Sequence, residues 1–61
     1  MGYFRIRPDK LPLTEPLERG EETMFHLIQM FPGTIGWSPV SEIRKAQRSL
    51  QAKEIIEYIK E

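Results

Sequence analysis

The sequence predicts a mainly α domain in which one short N-terminal strand is followed by two or three helices, and three observations carry that expectation. Residues 3–7 alternate apolar and polar side chains. Met24, Leu27, Ile28 and Phe31 recur at helical spacing, and Val40, Ile43, Ala46 and Leu50 do so again beyond a proline-glycine break. At 61 residues the chain is a single domain, with residues 1–13 a strand or extended arm and residues 14–61 helical. A domain this short hides only about 60% of the surface that its unfolded chain exposes, so its core is thin and calls for a staple. Cysteine is absent and His26 is the single histidine, so neither a disulfide nor a metal site can be drawn. Association into a homodimer is the staple left over.

In the first segment, Tyr3-Phe4-Arg5-Ile6-Arg7, Phe4 and Ile6 face one side while Tyr3, Arg5 and Arg7 face the other. Pro8 ends the strand, and a connector with a second proline runs to Leu13. No second strand is read. Thr14-Glu15-Pro16 can open a helix, but Gly20 interrupts it, so the alternative start is near Glu21. Glu21 and Glu22 read as first-turn acids that favour the helix dipole, and His26 falls on a flank or exposed side. Leu17 lies one heptad ahead of the stripe that runs to Phe31, and Pro32-Gly33 stops the helix, glycine taking the left-handed turn. Ser38-Pro39 opens the next helix, serine as cap and proline at the first helical position. Beyond Leu50 the apolar residues Ala52, Ile55, Ile56 and Ile59 move to the opposite side of the helical wheel. Either the helix breaks near Arg48-Ser49, giving a third helix to about Lys60, or one long helix buries different faces in different places. The expected core is Leu27, Ile28, Phe31, Ile43 and Leu50, with Trp37 as its lid and Ile55, Ile56 and Ile59 closing it or forming a partner-binding stripe.

Nine Lys and Arg balance nine Asp and Glu, so recognition by charge has to be local. The longest apolar stretch, Met24 to Phe31, is broken by His26 and Gln29 and is far too short to span a bilayer. The N-terminus carries no apolar signal core, so a cytoplasmic protein without membrane contact is expected. Catalytic residues are not found: with one histidine and no cysteine, the materials of nucleophilic catalysis are missing. Adjacent Glu21 and Glu22 diverge on a helix, and Gly33 and Gly36 are turn residues rather than a phosphate loop. No metal, cofactor or small-molecule substrate is therefore expected, and the chain reads as a binding protein, not an enzyme.

Two binding modules fit. In the first, the unpaired strand pairs with that of a second copy, giving a two-stranded ribbon with four arginines on one face, a shape that enters the major groove. Tyr3-Phe4-Arg5-Ile6-Arg7 and the run Gly36 to Ala46 resemble the strand and the turn-helix start of the ribbon-helix-helix repressors. The resemblance implies a small DNA-binding transcriptional regulator in which Tyr3, Arg5 and Arg7 face bases while Ser38 and Ser41 lie near a phosphate. Arg44 and Lys45, with Arg48, add a basic patch on the second helix that would hold the backbone of double-stranded DNA. The chain departs from that family in its proline-bearing connector, its balanced charge and its apolar segment after Leu50. The second module is a helix-turn-helix-like bundle of three helices with an extended N-terminal arm. Glu54, Glu57 and Glu61 on its last helix repel phosphate, so this version suits a protein-binding adaptor, inhibitor or accessory subunit docked on a larger protein.

Overall fold

The computed structural model describes residues 2–60, which form two strands, two α-helices and a short 3-10 turn (Pro8–Lys10) that follows the first strand, the order being β1 (Gly2–Ile6), α1 (Arg19–Met30), α2 (Ser41–Ala52) and β2 (Ile56–Lys60). The strands pair antiparallel, Gly2 opposite Lys60 and Ile6 opposite Ile56. Alternation puts Phe4, Ile6, Ile56 and Tyr58 on the inward face and Tyr3, Arg5, Glu57 and Ile59 on the outward one. The helices pack against the inward face, and the core of Phe4, Met24, Ile28, Leu50, Ile55 and Ile56 lies between.

β1 is closed on both sides. β2 occupies one edge, and on the other the Phe4 N–H donates to the Ile35 carbonyl (2.6 Å). The strand thus has its partner within its own chain, which corrects the expectation of a lone strand and removes the reason given for pairing it with a second copy. The C-terminal apolar segment is likewise neither a third helix nor a continuation of α2. Glu54 takes the left-handed conformation at φ 61°. Its N–H donates to the Gln51 carbonyl, and the Ile55 N–H to the Leu50 carbonyl (3.0 Å). That is a Schellman cap, sealed by the buried side chains of Leu50 and Ile55. It turns the chain into β2, where β-branched isoleucines suit a pleated strand. The shift of apolar phase after Leu50 marks the change from helix to strand.

Of the two starts read for the first helix, the one near Glu21 holds, while the second helix starts later than expected. α1 begins at Arg19, where Glu18 and Glu21 form a reciprocal capping box, not at Thr14. α2 begins at Ser41 behind Val40, while Ser38 instead accepts the Val40 N–H on its hydroxyl (3.1 Å). Gly33, at φ 80°, makes the expected left-handed turn after α1. Of the expected core, Ile28 and Leu50 are buried and Leu27 is half-buried, but Phe31 and Ile43 are 50% and 40% exposed. The helices bury their faces against the sheet, so the shared end of the helical hairpin projects past the core.

Two buried polar side chains hold the layers together. Glu21, only 2% exposed, accepts hydrogen bonds from the Glu18 N–H (3.0 Å), the Ser49 hydroxyl and the Lys53 ammonium (2.9 Å). The Ser49 bond first, then the Glu18 N–H and Lys53, outweigh burial and hold its carboxyl down at about 2. Gln47, fully buried, donates to the Gly36 carbonyl (2.9 Å) and accepts the Ser38 N–H (3.0 Å). It grips the connecting loop on both sides of Trp37.

Candidate functional site

The seven residues singled out from the sequence fall on two separate surfaces. Tyr3, Arg5 and Arg7 belong to the sheet's outward side, but they do not form a free row of donors. Tyr3 is half-buried opposite Ile59. Arg5 donates through Nε to Glu57 across the ladder (2.7 Å). Arg7 forms a two-point contact with Asp9, at 3.3 and 3.2 Å. The hydrogen bond of that last pair, together with its charges, raises the Arg7 pKa and lowers that of Asp9.

Ser38, Ser41, Arg44 and Lys45 gather instead at the start of α2. Gln47 and Leu50 face the core, which turns Arg44, Arg48 and Gln51 outward on one stripe at i, i+4 and i+7, with Lys45 beside them. Arg44 uses one of its five N–H donors on the Ser38 carbonyl (3.0 Å). Among the described residues Arg44, Lys45 and Arg48 make no ion pair, while Arg5, Arg7, Lys10 and Lys53 each hold a carboxylate. Three cations without an ion-pair partner thus share one exposed stretch of α2, with the exposed Glu42 one turn before Lys45.

Trp37 borders this face. Its ring meets Phe4 edge-on at 4.8 Å and tilts over Tyr58 at 6.0 Å, as a lid would, yet it stays 38% exposed. Together with Arg44, Arg48 and Gln51 it lines an open groove of about 490 Å³ that has no carboxylate in its lining among the described residues. Sequence reasoning reached Trp37 and the basic patch but missed Gln51, whose i+3 spacing from Arg48 was the available signal. It also missed Gln47, for which the sequence offers none.

Among the described residues no three His, Cys, Asp or Glu side chains come together to hold a metal ion, and no helix is long and apolar enough to cross a membrane. Comparison of the chain with protein-family models, curated proteins and solved structures finds no match in any of the three.

Proposed function

We propose that the chain is a small, cytoplasmic, non-enzymatic regulator that binds DNA through the outward face of α2. The observation that carries this reading is the gathering of Arg44, Lys45 and Arg48 on one face, none in an ion pair among the described residues, in a chain of zero net charge. Cations without internal partners neutralise phosphates and release the counterions condensed on the duplex. The strand arginines serve the fold in this reading, because reading bases with Arg5 would first break its pair with Glu57.

Two copies acting together belong to this reading, and the salt dependence tells one copy from two. Three phosphate contacts give a salt slope of only about −2.7, whereas a homodimer doubles it to about −5.4, which approaches that of specific binders. The test is fluorescence anisotropy of a labelled duplex across a salt series. The triple variant Arg44→Ala, Lys45→Ala, Arg48→Ala is expected to lose the slope, while Arg5→Ala keeps it. A triple variant with the wild-type slope would sink the reading.

An adaptor that docks on a larger protein is the second reading. It rests on the exposed Met30, Phe31, Val40 and Ile43 around the α1–α2 connection, an apolar set that the core does not use. Substituting Phe31 and Ile43 by serine would weaken such docking and leave the salt slope on DNA untouched.

A further inference from the structure

The groove beside Trp37 is built more specifically than attraction to a phosphate backbone requires. Its aromatic wall is fixed in place: Gln47 grips Gly36 and Ser38 on either side, and the rings of Phe4 and Tyr58 stand behind it. Arg44 and Arg48 stand one helical turn apart along one wall, and Gln51 adds an amide that both donates and accepts. We infer that this groove takes one unstacked base of a single-stranded nucleic acid, with the base on the Trp37 ring, its edge at Gln51 and its flanking phosphates on Arg44 and Arg48. The inference rests on the nucleic-acid reading above and narrows it to a preferred form of the ligand.

Chemistry separates the candidate occupants. A duplex keeps its bases stacked inside and offers α2 only phosphates, leaving the ring and the amide unused. An acidic peptide satisfies the guanidinium groups but brings no base plane to the indole. A single strand uses all three features, because every base has a π-face to lay on an aromatic ring, and sequence preference stays weak.

Trp37 is the chain's single tryptophan, so its emission reports on this groove alone. Wild-type protein is titrated with a 15-nucleotide oligothymidylate, with a mixed-sequence duplex of the same length and with poly-glutamate, each at several salt concentrations. Saturable quenching by the single strand is expected, with tighter binding than the duplex and a salt slope near −1.4 for two phosphate contacts. In anisotropy with labelled oligothymidylate, Trp37→Ala is expected to weaken binding roughly five- to 150-fold. Trp37→Phe, which keeps a ring, loses less and serves if the alanine variant fails to fold. Arg48→Ala, exposed and without an internal bond among the described residues, weakens binding without moving the thermal midpoint. Duplex binding that equals or exceeds single-strand binding and leaves the emission unchanged overturns this inference while sparing the DNA-binding reading. If neither nucleic acid binds at low salt, both fall; equal quenching by poly-glutamate overturns the inference in favour of an acidic protein.

Discussion

The outward side of the sheet and the outward face of α2 carry similar numbers of cations and use them in opposite ways. On the sheet side, Arg5 lies against Glu57 and Arg7 against Asp9. On α2, Arg44, Lys45 and Arg48 have no carboxylate partner among the described residues, while Lys53, just past its end, turns toward α1 and meets Glu21. Availability for a partner is therefore set by what the fold places opposite each charge, and a count along the chain does not show it. The sheet's charges stabilise the fold; those of α2 are left for a ligand.

That contrast can be broken from the inside outward. The largest expected effect is at Phe4, which anchors the sheet to the helices and is fully buried. Phe4→Ala should cost roughly 3–5 kcal/mol, about the whole stability of a domain this size. Cooperative thermal unfolding that survived the substitution would show the sheet to be an ornament on an independent helical hairpin.

Glu21 comes next, since it decides which side of α2 is engaged internally. Its carboxyl is held at about 2, below the usual value, so its contribution is complete above the unfolded-state pKa near 4.5 and disappears as pH falls toward 2. The loss amounts to roughly 2–3 kcal/mol. Denaturant midpoints measured from pH 6 down to 2 should fall through that window in the wild type and much less in Glu21→Gln.

A smaller effect of opposite sign is expected at Glu54. Its left-handed backbone costs an L-residue about 1 kcal/mol, so Glu54→Gly should raise the thermal midpoint by several degrees despite losing an exposed contact with Lys10. A lowered midpoint would assign that ion pair more weight than exposed pairs normally carry. A smaller change again should come from Arg5→Ala, which removes an exposed pair worth roughly 0.2–1 kcal/mol. Arg48→Ala should leave chemical stability within about 0.5 kcal/mol of wild type. A larger loss at Arg48 than at Arg5 would invert the comparison.

Much of the local structure was legible. The alternation from Tyr3 to Ile6, the first part of the stripe that runs from Met24 to Phe31 and the stop at Gly33 each express a short-range rule, and the chain obeys them. What escaped reading depends on distant partners or on a broken local habit. β2 hid because the helix before it caps with Glu54 where glycine is usual, leaving a run of isoleucines that a helical wheel absorbs as readily as a strand. Glu21 looked like an ordinary first-turn acid because Ser49 and Lys53 lie 28 and 32 residues away. Within the candidate site, Arg44 and Lys45 were visible as a basic patch. The neutralisation of Arg5 was not, since Glu57 arrives only when the ends of the fold meet.

The antiparallel pairing of β1 with β2 also bears on how the molecule is made. Arg5 and Glu57, adjacent in the sheet, stand 52 positions apart along the chain. A helical hairpin assembles from near neighbours, but this ladder requires almost the entire polypeptide to be looped before its first rung forms, and the entropy of that closure precedes any reward. The ladder should therefore set the pace of folding, well behind the microsecond regime of small helical bundles. The strands at the two ends of the fold then gain their order together and lose it together.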